Sequence, residues 1–230
     1  MKFLLTALLL PALTCQAQTA TQVRPVPHFT AINVGTGIEL TITAGHDQRV
    51  EVSADTPELR DRIETTVKDG VLTLRYNNEG DLQGRLRRNK HLQASITADQ
   101  LAALSAHSGA EVHTSGDFDA DRFELELSSG AEVHAAFATA SLSVRQSSGS
   151  ESSLSGQATT VEVRTSSGAE CNGRDLRADR ARAEASSGSS IKLTVKDDLV
   201  AEASSGADIS YSGSPQLTKR TSSGGGVSRN

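Results

Sequence analysis

Apolar and polar residues alternate along most of this chain. The alternation is sharpest when the sequence is aligned on seven near-evenly spaced Ser-Gly dipeptides between His107 and Asn230. Successive glycines, from Gly109 to Gly224, stand 21, 19, 19, 20, 18 and 18 residues apart. Five residues before each glycine come Leu104, Leu125, Val144, Val163, Ala183, Ala201 and Lys219. Three residues after it come Val112, Val133, Ser152, Cys171, Ile191, Ile209 and Val227. The columns seven and three residues before the glycine, beginning at Ala102 and Ala106, are likewise mostly apolar or small. A period of two with one apolar face is a strand pattern. A unit of 18–21 residues cannot bury a core alone and has to stack on its neighbours.

The pattern predicts an all-β fold, a single-stranded right-handed parallel β-helix with about seven C-terminal coils, since crossovers between parallel strands are overwhelmingly right-handed. Leucine-rich repeats have a similar period, but their leucine spacing is missing. Parity places the serine before each glycine on the inner face, as a ladder of hydrogen-bonding hydroxyls, and the glycine where the backbone bends. Four residues before the glycine, the outward column reads Ser105, Glu126, Arg145, Arg164, Glu184, Glu202 and Arg220. Stacking sets Glu126 against Arg145, Arg164 against Glu184 and Glu202 against Arg220.

Upstream the pattern is less regular. Residues 28–105 form the irregular N-terminal part and 106–227 the repeat array of one domain, 28–227. Short strands flank a Gly35-Thr36-Gly37 turn, Thr56-Pro57-Glu58 reads as a helix start leading to about Glu64, and Asp69-Gly70 as a tight turn. Residues 18–27, with Pro25 and Pro27, read as a tether. Residues 1–17 read as a signal peptide: Lys2, the apolar run Phe3–Leu13 and the small-x-small site Cys15-Gln16-Ala17. That run is too short to span a bilayer. Cleavage after Ala17 leaves Cys171 as the one thiol of the mature chain and no internal disulfide; the competing reading makes Cys15 a lipid attachment point. Either way the expected location is outside the cytoplasm: periplasm, outer surface or secreted.

Composition fits a narrow stack. Hydrophobic residues are 36% and aromatics 3% of the chain, with 19 glycines, so small side chains must fill the interior. A formal net charge of −5 speaks against nucleic-acid partners. Arg85, Arg87, Arg88 and Lys90 cluster in a polar stretch that reads as a solvated excursion, the alternative being an anion-binding loop.

The opening Phe29-Thr30-Ala31-Ile32, the strand entry Lys68-Asp69-Gly70-Val71-Leu72, the repeated Ser-Gly-Ala units and the late Tyr211-Ser212-Gly213-Ser214-Pro215 resemble the head GIN domain family, whose label is auto-transporter adhesin. The resemblance covers about Phe29 to Val227. It implies a secreted or envelope-attached β-solenoid of Bacteroidetes-like bacteria and no established catalytic residues. The chain departs from many relatives in lacking a convincing lipid-attachment cysteine, which leaves its anchoring open.

Candidate chemistry lies on the outward columns. Two residues after the glycine stand Glu111, Glu132, Glu151, Glu170, Ser190, Asp208 and Gly226. Its carboxylates Glu111, Glu132, Glu151, Glu170 and Asp208 form an acidic ladder, read either as a solvated stripe or as a site sharing calcium between coils. Glu111, His113, Glu132 and His134 form a weaker transition-metal candidate. No cofactor is expected beyond that possible calcium. Cys171 falls in a core column. The leading expectation is a non-enzymatic adhesin or surface-interaction module, its partner an unidentified cell-surface or envelope component, with self-association through an open end as a further possibility. The final coil, around Lys219 and Gly224–Gly226, reads as a cap against such pairing. The alternatives are a β-helix enzyme acting on polysaccharide and a calcium-dependent binding module.

Overall fold

The computed structural model describes residues 20–80, 90–116, 118 and 120–230. The signal segment, Cys15 and the arginines Arg85, Arg87 and Arg88 lie outside the described residues. The N-terminal half contains β1 (Ala20–Val23), β2 (Ala31–Val34), β3 (Glu39–Ala44), β4 (Arg49–Ala54), α1 (Pro57–Asp61), β5 (Ile63–Lys68), β6 (Val71–Tyr76), β7 (Gln93–Ala98), β8 (Ala103–Ala106), β9 (Glu111–Ser115) and β10 (Arg122–Leu127). Four long strands follow, β11 (Glu132–Gln146), β12 (Glu151–Thr165), β13 (Glu170–Ala185) and β14 (Ser190–Ala203). The chain closes with β15 (Asp208–Ser212), β16 (Gln216–Thr221) and β17 (Gly226–Arg229).

Each long strand runs from one Ser-Gly corner to the next, so one strand and one corner make one coil of a β-solenoid of about seven turns. Before the corners, parallel pairing runs through β6, β2, β8 and β10 into the second halves of β11 to β14 and on to β16. After the corners it runs through β7, β3 and β9 into the first halves of β11 to β14, then β15 and β17. Antiparallel pairs, β1 with β4, β4 with β7 and β5 with β6, cover the first end of the stack. An open sheet edge invites a second chain, and this cover moves the open edge from the parallel stack to the short strands β1 and β5.

Local structure departs from expectation at this end. Residues 20–23, inside the expected tether, form β1, because the outer edge of β4 offers unpaired backbone groups that Ala20–Val23 can meet. Ala102, expected in the core, is exposed, because β8 begins only at Ala103 and its inward residues are Leu104 and Ala106. The helix is shorter than expected: Thr56 accepts a bond from Leu59 N–H at 3.3 Å, Pro57 takes the first turn, and Ile63 already opens β5.

The core is the inward half of the alternation, with Leu125, Val144, Val163, Ala183 and Ala201 stacked as one buried column. Phe123 and Phe137 supply the bulk at one level, their rings 5.0 Å apart. The serine before each glycine, however, does not point inward. Ser108, Ser129, Ser148, Ser167, Ser187, Ser205 and Ser223 are exposed, each at positive φ, and each is followed by a glycine at positive φ. Two consecutive left-handed residues make a type I′ turn. The turn swings the serine out of the alternation and returns the chain to it at the residue after the glycine, which is buried at Ala110, Ala131, Ser150, Ala169, Ser189 and Ala207.

The interior hydroxyls come instead from columns near the corner. Ser152 Oγ donates to Gln146 Oε1 at 3.1 Å, Thr165 Oγ1 and Ser189 Oγ lie 2.8 Å apart, and Ser189 Oγ accepts from Ser186 N–H at 3.1 Å. These bonds satisfy polar groups that would otherwise be costly to bury.

Candidate functional site

The acidic column is one register ladder, and it begins earlier than the repeats do. Glu39 pairs with Glu111, Glu111 with Glu132, Glu132 with Glu151 and Glu151 with Glu170, after which the column continues through Ser190, Asp208 and Gly226. Glu39 belongs to the column because Thr36-Gly37 is an eighth corner of the same kind, both residues at positive φ, with Gly37 N–H donating to Ser108 C=O at 3.0 Å. The strands between this corner and the first Ser-Gly hid it from a search for even spacing.

Carboxylates in adjacent register repel. Here the neighbouring outward column supplies a lateral partner to three of them, and a register neighbour supplies one to Glu39. Glu111 Oε1 lies 2.9 Å from His113 Nε2, Glu132 Oε1 lies 2.9 Å from His134 Nε2, and Lys192 is ion-paired with Glu170. Gln93 Nε2 donates to Glu39 at 3.0 Å. The imidazoles of His113 and His134 stack on each other, centroids 4.9 Å apart and planes within 4°. Sequence spacing brings the four residues Glu111, His113, Glu132 and His134 together, but as two stacked Glu–His pairs. Among the described residues no three His, Cys, Asp or Glu side chains are grouped so as to hold a metal ion. The side chains of Glu151 and Asp208 make no hydrogen bond or ion pair among the described residues, and Glu170 and Ser190 separate them along the ladder. Lys192 and Gln93 are members of this face that sequence reading missed: Lys192 stands four positions after Gly188, as His113 and His134 do after their glycines, whereas Gln93 pairs in register with Glu39 and follows no corner glycine.

The column before the corners forms a different surface. Glu162, Arg164, Glu184, Arg182, Glu202 and Arg220 form a continuous chain of ion pairs across four coils, at 2.6, 3.0, 2.6, 3.0 and 3.8 Å in that order. Glu126 and Arg145 are register neighbours, as expected, but are not ion-paired. Burial penalises the Glu184 carboxylate, yet hydrogen bonds from Arg164 and Arg182 outweigh it and hold its pKa below 4.5. The same carboxylate holds both guanidiniums above their ordinary value. Cys171 is fully buried, as its column requires, and burial pushes its thiol up to about 11, which leaves no thiolate at neutral pH.

Comparison with known proteins places this geometry. A family model described as "Putative auto-transporter adhesin, head GIN domain" matches residues 28–215. A Bacteroides fragilis crystal structure titled a "putative adhesin" superposes with a TM-score of 0.83 at 19% identity, covering 94% of this chain and 98% of that one. A "putative adhesin" from Parabacteroides merdae gives 0.73 at 15% identity, covering 93% and 96%. A "putative lipid binding protein" from Parabacteroides distasonis gives 0.66 at 15%, covering 92% and 96%. At these identities the likeness concerns the fold. No match was found among functionally curated proteins.

Proposed function

The chain belongs to the head GIN domain family, and on that premise we propose that it is a non-catalytic, exported surface-interaction module that binds a cell-envelope or cell-surface component. The contact face is the outward surface after the corners, centred on Glu111, His113, Glu132, His134, Glu151 and Glu170. One observation carries the reading: the acidic ladder stays in register over five neighbouring strands from Glu39 to Glu170. Backbone pairing on both sides of each strand holds these side chains, so the face needs little ordering when a partner docks. Its charge favours a partner bearing cationic groups.

The module leaves the cytoplasm through the leader read at residues 1–17. The test is binding of the exported protein to isolated envelope fractions and to intact cells, with parallel assays for polymer hydrolysis. The combined E132Q, E151Q and E170Q variant loses most of the binding while keeping its circular dichroism and melting temperature. Turnover of a polymer abolished by one carboxylate change would sink the reading, as would binding that ignores all three substitutions.

A further inference from the structure

The surface before the corners holds a groove of about 680 Å³ that runs along the solenoid axis. One wall is the charged column Glu126, Arg145, Arg164, Glu184, Glu202 and Arg220; the other is the serine column Ser128, Ser147, Ser166, Ser186, Ser204 and Ser222. Both columns advance one residue per coil, so the groove crosses six coils, roughly 24 Å at about 4.8 Å per strand.

Length, charge and chemistry together narrow the occupant. A groove of this length with an equivalent pair of groups at each step fits a linear polymer better than a compact ligand. Three carboxylates and three guanidiniums leave the charged wall neutral, and Arg164–Glu184 and Glu202–Arg220 are already paired within it. Such a wall offers no field for a polyanion or a polycation. The hydroxyls of the serine wall make no hydrogen bond among the described residues, and each can both donate and accept. Between the walls Leu127, Gln146, Thr165, Ala185 and Ala203 are buried side chains of the inward column, so the floor exposes no continuous apolar slot for an acyl chain. The walls are rigid as well: at each corner Gly N–H donates to the next coil's serine C=O, at 3.0–3.1 Å from Gly109 to Gly206.

We infer that this groove is a second binding site, which takes a neutral, linear polysaccharide lying along the solenoid axis. Serine hydroxyls and the outward edges of the carboxylates and guanidiniums hydrogen-bond the sugar hydroxyls, one set per coil. With no aromatic platform in the groove, the contacts are hydrogen bonds, individually weak, and affinity accumulates with the number of coils engaged. The site shares no residue with the Glu–His face and does not depend on it.

The experiment is calorimetric titration of the full chain with neutral glucan, mannan and xylan oligosaccharides of two to eight residues. Alginate and phosphatidylcholine vesicles serve as comparison probes. At least one neutral series binds, its affinity rises at least tenfold between the dimer and the hexamer, and moderate salt leaves it unchanged. The combined S147A, S166A and S204A variant weakens that binding at least tenfold. Alanine is tolerated at these positions because their φ is negative, and circular dichroism with melting checks the fold; should the triple variant unfold, each single substitution is measured instead. The E132Q, E151Q and E170Q variant leaves sugar binding intact, which separates this site from the proposed envelope-binding face. Preference for alginate or vesicles, absence of neutral-sugar binding, or indifference to the serine substitutions would each overturn the inference.

Discussion

Arg164 and Glu184 face each other across neighbouring coils with Nε and Oε2 3.0 Å apart, and Arg182 holds the other oxygen of the same carboxylate at 2.6 Å. Two guanidiniums on one carboxylate explain why Glu184 titrates low despite partial burial. A carboxyl group whose folded pKa lies below its ordinary 4.5 gives its full stabilisation above that value and loses it as pH falls through the folded pKa. Melting temperatures measured from about pH 6 to about pH 3 fall less steeply for E184Q than for the parent protein. The difference between the two at neutral pH corresponds to about 1 kcal/mol, since the pairs are partly exposed.

The corner serines test whether the turn or the side chain matters to folding. Both corner residues sit in the left-handed region, which asparagine tolerates better than serine and β-branched residues tolerate poorly. Ser167→Asn leaves stability unchanged or slightly raised, and Ser167→Val lowers it by about 1–2 kcal/mol in urea unfolding. An equal loss from both would mean that the hydroxyl points inward after all.

Gly156 is a backbone requirement of a different kind. Its φ is +97°, and a Cβ placed there would lie 2.1 Å from the Phe137 carbonyl oxygen one coil away. Gly156→Ala therefore combines a strained conformation with a clash against backbone and costs about 3 kcal/mol in chemical denaturation. Gly168→Ala, in a corner with nothing within 4 Å of the added carbon, costs less.

Cys171, buried and held protonated, is inert in the folded protein. In a Cys15→Ser background a thiol reagent at about pH 8 leaves Cys171 unmodified for as long as the solenoid is folded and labels it stoichiometrically in denaturant. Rapid labelling of the native chain would show that the coils open locally at this level.

The last coil carries its own protection against stacking. At the inward column of β16 an exposed Lys219 replaces the leucine, valine or alanine of earlier coils, and Thr221 follows two residues later, also exposed. An inward-pointing charge on an edge strand discourages pairing with another chain. The double variant Lys219→Val, Thr221→Val forms end-to-end oligomers in light scattering at concentrations where the parent protein does not.

Much of this fold was legible because a parallel solenoid repeats one local rule. The apolar columns headed by Leu104 and Val112 follow the alternation, and stacking at a fixed period converts sequence spacing directly into register, so Arg164 opposite Glu184 could be read from the chain. The reading failed where local geometry departs from the strand. At the corners two left-handed residues rotate the serine outward although its parity is that of an inner position. At the N-terminal end the β4–β7 excursion separates Gly37 from Gly109, so Glu39 could not be recognised as the first rung of the acidic ladder.

The candidate site divides in the same way. Sequence by itself determined which side chains share a column, and therefore that Glu111, Glu132, Glu151 and Glu170 stand in one row, because register in a parallel stack depends only on spacing. Tertiary structure alone decided what each of them meets. Lateral neighbours across the face, His113, His134 and Lys192, depend on side-chain rotamers. The outward turn of the serines depends on backbone angles at the corner. Neither is encoded in the period that revealed the coils.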